Sequence, residues 1–388
     1  MLASLQRSTK TKLVATATRV AVASKHHHHQ QQRSFTKSIS PSALNNHHIY
    51  DYTTNNDKSL PLFDFFAQTK PQQSYKLGHG AAGFAKKRSN TETSVITSSS
   101  WSSESAQVGE DAYFRRSDAI GVADGIGGWQ QTAECLTGSI SISIFLHLPG
   151  SNSALYSSQL MHYANLEMDR FEDTEDPMFF EYSQTNPVDI LQRSYEQSLV
   201  EAKKSNVLGS TTACIAVLRH DELRVANIGD CGISIIRNNH YVFRSEEQQH
   251  AFNFPYQLGI RSRDQPHHAQ SFNIKVKKGD IIIMGTDGLY DNLFDKTILS
   301  LVRDHVHAHT IPGNAQRPPR VRNLQPQILS DILANAAKEV SESKRNVDTP
   351  FQRRAMEEGL LMEGGKADDI SVIVAVVRDC EDSPDRRL

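Results

Sequence analysis

From about Val95 onward, short apolar runs recur, bounded by Gly and Asp. They fall at 119–123, 213–218, 223–228, 232–236, 281–284 and 371–377. Most are rich in β-branched residues and only about four to seven residues long, which predicts buried strands. Helix candidates lie between them at about 132–147, 155–170, 188–204, 294–306 and 327–342. Thr132 is placed to cap the first, and Pro187 to begin the third. An acidic stretch at 167–176 and a stretch at 307–326 with Pro312, Pro318 and Pro319 predict loops or insertions. Strands alternate with helices in places and follow one another like hairpins elsewhere (213–218, 223–228, then 232–236). That order predicts an α+β domain of antiparallel sheets with helices packed outside.

The first part of the chain has a different texture. Residues 36–90 are polar, with Pro, Asn and Gln and one short apolar patch at 60–66, and read as a linker. Residues 1–50 contain no Asp or Glu but carry Arg7, Lys10, Lys12, Arg19, Lys25, Arg33 and Lys37. The formal net charge of −2 therefore hides a basic leader, and residues 51–388 hold 35 basic against 44 acidic residues. The leader is rich in Ser, Thr, Ala and Val, and Leu2, Leu5, Leu13 and Val20 share one helical stripe. This is the composition of a mitochondrial transit peptide, with processing expected near Phe35. The alternative is a disordered basic tail. The run His26–His29 with Gln30–Gln32 is low-complexity.

Several classes are excluded. A near-neutral chain does not suit a strongly basic nucleic-acid binder, and 38% hydrophobic residues do not suit a disordered acidic chain. No stretch reaches the roughly 18 apolar residues of a membrane span. Cys135, Cys214, Cys231 and Cys380 form no C-x-x-C pair, which argues against a zinc site and a disulfide framework.

The informative residues are acids placed where apolar strands stop or start: Glu110-Asp111, Asp124-Gly125, Asp230, Asp287 with Asp291, and Asp368-Asp369. A single Asp-Gly at a strand end is ordinarily a turn or a cap. Five such clusters converging would repel one another unless a cation sat among them. Mg²⁺ and Mn²⁺ take such oxygen ligands, and paired ions of this kind activate water for phosphoryl displacement. A calcium module fits less well, because no D-x-D-x-D-G loop is present.

The ordered set Glu-Asp (110–111), Asp-Gly-Ile-Gly-Gly (124–128), Gly-Ser-Thr-Thr (209–212), Asn-Ile-Gly-Asp (227–230), Thr-Asp-Gly-Leu-Tyr-Asp (286–291) and Asp-Asp-Ile-Ser-Val (368–372) resembles the PPM, or PP2C-type, metal-dependent serine/threonine protein phosphatases. The wording Gly-Val-Ala-Asp-Gly-Ile-Gly-Gly-Trp (121–129) resembles its mitochondrial, homologue-7-like branch. The resemblance implies a β-sandwich of two antiparallel sheets flanked by α-helices. It divides the chain into a transit peptide (1–35), a linker (36–91), a phosphatase domain (92–380) and a polar tail (381–388).

The same resemblance implies two Mn²⁺ or Mg²⁺ ions and a bridging hydroxide as nucleophile. Asp124 would bridge the ions, Asp287 and Asp368 would complete the ligands of the first ion, and Glu110 with the Gly125 carbonyl would hold the second ion, partly through water. Asp230, Asp287 and Asp291 would form a third, weaker site. The implied substrates are mitochondrial phosphoproteins, with ubiquinone biosynthesis as a linked process, and the chain is expected to act as a monomer without nucleic acid. A pseudophosphatase binding module and a small-molecule phosphohydrolase are the alternatives. Two positions depart from the family pattern: Ala106 stands where relatives carry a phosphate-gripping Arg, and Ile126 where they carry a His proposed as general acid. His79, His250 and His267 read as surface or structural residues, and Trp129 as a rim or packing aromatic.

Overall fold

Near-continuous apolar strands need cover on both faces, and the chain supplies it. In the computed structural model, the structure describes residues 73–87, 105–126, 152–314 and 324–380 except 344 and 346, with short pieces at 129–131, 144–146, 316–317 and 320–321. Strand β1 is Tyr75–Phe84, β2 Ser105–Val108, β3 Asp111–Arg115 and β4 Ala119–Ala123. Then come β5 (Ala213–Arg219), β6 (Glu222–Ile228), β7 (Gly232–Arg237), β8 (His240–Arg244), β9 (Gln270–Lys275), β10 (Ile281–Gly285) and β11 (Ile370–Asp379).

These strands build two antiparallel sheets. One runs β9-β6-β5-β4-β3-β2 and the other β1-β11-β10-β7-β8. Alternate residues of one strand serve different layers. On β5, Cys214, Ala216 and Leu218 point between the sheets, where they meet Ile233 and Ile235 of β7, Ile282 of β10 and Ile373 of β11. Ala213, Ile215 and Val217 point outward to Leu160, Met161, Ile190 and Leu191. Those four lie on helices α1 (Ser153–Asp169) and α2 (Pro187–Lys204). The second sheet is covered in the same way: Ile283, Val372 and Val374 pack against Ile298, Val302, Leu329 and Leu333. Each fully buried Leu or Ile contributes about 1.5–3 kcal/mol to this sandwich.

The remaining helices are α3 (Asp287–Tyr290), α4 (Asp295–Ala308), α5 (Pro326–Ser341) and α6 (Pro350–Glu357). Asn152 caps α1 by accepting from the Leu155 amide at 2.9 Å. Asn186 caps α2, with Pro187 in its first turn and Lys203 and Lys204 in its last, where cations oppose the helix dipole.

Three expectations need correction. The linker assigned to 36–91 contains β1, which pairs with β11 from Tyr75–Asp379 to Phe84–Ile370. The described residues all belong to one compact unit, Leu60–Leu388, so the domain begins before residue 92. The apparent succession 223–228 to 232–236 is no hairpin: β6 pairs with β5 and β9 in one sheet, whereas β7 pairs with β10 and β8 in the other. Finally, the helix expected at 132–147 ends in a strand. Residues 144–146 pair antiparallel with 129–131, and 132–143, with Thr132, lie outside the described residues. So do the leader and the tail at 381–388.

Candidate metal centre

The sheet change after β6 also sets the site. Gly229 adopts φ +97°, and a side chain there would meet Thr212 at 2.5 Å and the Tyr256 carbonyl at 2.6 Å. Only glycine fits this crossing without strain, and it delivers Asp230 to the mouth of the sandwich. The end of β4 delivers Asp124. Its carbonyl accepts from Thr211 Oγ1 at 2.7 Å and from the Thr212 amide at 3.0 Å, which gives the Gly-Ser-Thr-Thr segment a task. The end of β10 delivers Asp287 as the first residue of α3, with Asp291 one turn on. The start of β11 delivers Asp368 and Asp369.

One carboxylate oxygen from each of Asp124, Asp230 and Asp287 lies within 4.8 Å of the others. Burial, and then repulsion from Asp287, Asp111, Asp368 and Asp230, pushes the Asp124 carboxyl well above its ordinary range. Burial and then Asp287 do the same to Asp230. Asp111 is raised by burial and then by Asp369, and Asp368 by burial and then by Asp287. Asp230 Oδ1 and Asp287 Oδ1 are buried and have no hydrogen-bond partner among the described residues. Converging anionic oxygens that lack donors fit a hard divalent cation.

The other expected ligands flank this trio. The Glu110 carbonyl accepts from the Gly125 amide at 3.1 Å, and a side chain at Gly125 would meet that carbonyl at 2.5 Å. Gly125 is thus pressed against Glu110. The Glu110 carboxylate itself accepts from Ser153 Oγ at 2.8 Å and is not one of the three grouped above. Asp291 is occupied by cations: Arg354 of α6 bonds to it, and Lys366 Nζ lies 2.7 Å from its Oδ2. Lys366 also bonds to Asp287 and lies 3.3 Å from Asp368. The expected third group of Asp230, Asp287 and Asp291 therefore has an ammonium against two of its members.

Lys366, Arg354 and Lys86 carried no expected role from the sequence, whereas Asp369 was counted among the acids of the site. Asp369 works as a clamp: its two oxygens accept from the Lys86 amide at 2.7 Å and the Glu110 amide at 2.8 Å. Buried Asp111 accepts from Thr286 Oγ1 at 2.8 Å, tying β3 to the entry of α3. Lys366 stood beside the quoted Asp368-Asp369 pair, and that adjacency was its one signal; Arg354 had none.

The remaining candidates lie elsewhere. His79 is on β1, its pKa lowered by burial and then by Arg115 and Arg378. His250 bonds Asp264 at 3.0 Å and stacks on Tyr256. His267 sits in a short turn at Pro266–His268. Cys214 and Cys231 are buried, and burial raises both thiols, so neither is a poised nucleophile. The Trp129 side chain lies outside the described residues.

Comparison with known proteins bears on this site. Residues 178–378, just over half of the chain, match the family model of SpoIIE, Stage II sporulation protein E. The human "Protein phosphatase PTC7 homolog" is 32% identical over 292 residues, 71% of this chain and 81% of that protein. The chain belongs to the PP2C-type protein phosphatase family. The Arabidopsis thaliana "Probable protein phosphatase 2C 55" is 35% identical over 273 residues, 69% of this chain and 48% of the relative. The chain thus spans about half the length of that plant protein. The solved photosystem II phosphatase PBCP superposes with a TM-score of 0.55 at 26% identity, covering 78% of this chain and 99% of that one. Within this PP2C-type fold, Ala106 lies on edge strand β2 opposite Tyr113. The Ile126 amide donates to the Ser210 carbonyl at 2.9 Å. Neither side chain offers a charge to a phosphoryl group.

Proposed function

We propose that this PP2C-type chain hydrolyses phosphoserine and phosphothreonine in proteins, with Mn²⁺ or Mg²⁺ as cofactor. The observation that carries the proposal is the convergence of Asp124, Asp230 and Asp287, in which Asp230 Oδ1 and Asp287 Oδ1 are buried without a donor among the described residues. In the proposed assignment, Asp124 would serve both of two ions, Asp287 and Asp368 would complete the ligands of the first ion, and Glu110 with the Gly125 carbonyl would hold the second ion. Asp230, Asp287 and Asp291 are the candidates for a weaker third ion. Bound divalent ions acidify water and neutralise charge on phosphoryl oxygens.

The protein's own groups hold the frame for that chemistry. Thr211 and Thr212 fix the Asp124 backbone. Asp369 holds Glu110 through its amide, and Lys366 and Arg354 offset part of the negative charge. Buried cysteines are not required as nucleophiles.

The leader composition supports a mitochondrial location, and the resemblance to the homologue-7-like branch supports phosphoprotein substrates linked to ubiquinone biosynthesis. Among the described residues no helix is long and apolar enough to cross a membrane. Chelation tests the chemistry. EDTA should abolish phosphopeptide hydrolysis by the full chain and Mn²⁺ should restore it; activity untouched by EDTA contradicts the proposal. Imaging of the full chain with and without residues 1–35 tests the location, and a distribution indifferent to the deletion contradicts it.

A further inference from the structure

A family member without the Arg at position 106 needs another cation for the phosphoryl group. Lys366 and Arg354 are unsuited. The Lys366 side chain is only 15% exposed and is held by Asp287, Asp291 and Asp368. Arg354 is divided between Asp291 and Glu247.

Lys86 differs in each respect. It follows β1 and lines a cleft of about 120 Å³ together with Lys87, Lys338 and Asp368, above Phe84 and Ile370. Its side chain is 43% exposed, and its ammonium is 3.6 Å from Asp368 Oδ1. A pair this long leaves ammonium donors for a second acceptor. Lys87 is drawn off by Glu342 at 3.0 Å, and Lys338 lies over the Phe84 ring at 4.3 Å. Position matters as much as charge. Asp369 accepts the Lys86 amide on one oxygen and the Glu110 amide on the other. The clamp therefore seats Lys86 beside one proposed metal ligand while its side chain reaches another.

We propose that Lys86 binds the phosphoryl group of the substrate, and the inorganic phosphate product, from the edge of the metal centre. It would replace the side chain that Ala106 lacks. This rests on the reading of the site as a phosphatase centre. An ammonium presents a point charge, whereas a guanidinium presents a planar fork. Lys86 would thus grip phosphate less rigidly and tolerate more varied approach by the phosphorylated segment.

The test uses the full chain saturated with Mn²⁺ and compares wild type, Lys86→Gln and Lys86→Arg. Inorganic phosphate binding is measured by titration calorimetry, and kcat and KM on a phosphoserine peptide by phosphate release. Loss of one charge-assisted contact predicts about tenfold weaker phosphate binding and about tenfold higher KM for Lys86→Gln, with kcat changed less than about threefold. Lys86→Arg should restore most of the binding, and Mn²⁺ affinity should match wild type in both variants. Unchanged phosphate affinity in Lys86→Gln overturns the assignment. So does a parallel loss of Mn²⁺ binding, which would make Lys86 a structural prop, and so does a wild type that binds no phosphate. If phosphate binds through Lys86 but no phosphopeptide is hydrolysed, the proposed function fails and the anion site stands.

Discussion

Lys366 Nζ lies 2.7 Å from Asp291 Oδ2, and the same ammonium bonds Asp287. Burial opposes the charged form, but Asp287, Asp291 and Asp368 outweigh it and hold this lysine well above its ordinary range. A lysine that stays charged in such a place acts as a resident counter-ion. Removing one member of a buried charge group costs about 3–5 kcal/mol, because the partners are left uncompensated. Lys366→Met should therefore lower the unfolding temperature markedly in EDTA and much less in excess Mn²⁺, where added cations take over the neutralisation. Equal losses in both conditions would show that the lysine matters for packing alone.

The raised carboxyls give the metal-free protein an unusual pH dependence. Asp111, Asp124 and Asp230 have folded-state pKa values above their unfolded ones. The folded state then keeps protons that the unfolded chain has lost above about pH 4. This contribution is complete below the unfolded value and disappears as pH rises through the raised values. Asp176 and Asp348 run the other way, lowered by hydrogen bonds from Arg170 and Arg353, but they act below the ordinary carboxyl range. Calorimetry in EDTA should show the melting temperature falling from mildly acidic to neutral pH. Saturating Mn²⁺ should flatten or reverse that slope. A rising slope in EDTA would contradict the electrostatic picture of the site.

Asp369 offers a test of how the ligands are aimed. Its carboxylate holds the Lys86 and Glu110 amides without belonging to the carboxylate trio. Loss of such an orienting partner typically costs about 10–100-fold in metal affinity. Asp369→Asn keeps the shape and one acceptor, so Mn²⁺ binding should weaken within that range while the fold persists. Wild-type Mn²⁺ affinity would remove the clamp from the account.

Gly229→Ala probes the sheet crossing. Its φ of +97° and the contacts at 2.5 and 2.6 Å should make the variant less stable by about 1–3 kcal/mol, read from urea unfolding. Asp230 should shift with it, weakening metal binding. An unaltered urea midpoint would mean that the crossing tolerates a side chain.

Much of this fold is legible because β4, β5 and β10 are buried along their whole length. Double-sided burial writes an unbroken apolar run. β1 escapes that logic: its sequence is Tyr-Lys-Leu-Gly-His-Gly-Ala-Ala-Gly-Phe, and only two of its ten residues are fully buried. Helix α6 is eight residues long and mostly polar, too short for its one buried face to stand out in the sequence. The hairpin expectation at 232–236 failed because the three residues Gly229, Asp230 and Cys231 can carry the chain between sheets as easily as around a turn.

The site shows the same division. Acids at strand ends stand out against apolar neighbours, so Asp124, Asp230 and Asp287 are visible in the sequence. Their cations are not. Lys and Arg occur on every solvated surface, and Arg354 meets Asp291 across 63 positions. Only the folded chain brings them together.

In the proposed function, Asp124 anchors a metal-dependent phosphatase centre. Its most direct test is Asp124→Asn in the full chain, assayed with Mn²⁺ on a phosphoserine peptide alongside calorimetric Mn²⁺ titration. Turnover should fall by at least about a thousandfold, and Mn²⁺ binding should weaken. Stability in EDTA should equal or exceed wild type, because one repelling charge is gone. Wild-type, Mn²⁺-dependent hydrolysis by the variant would contradict it.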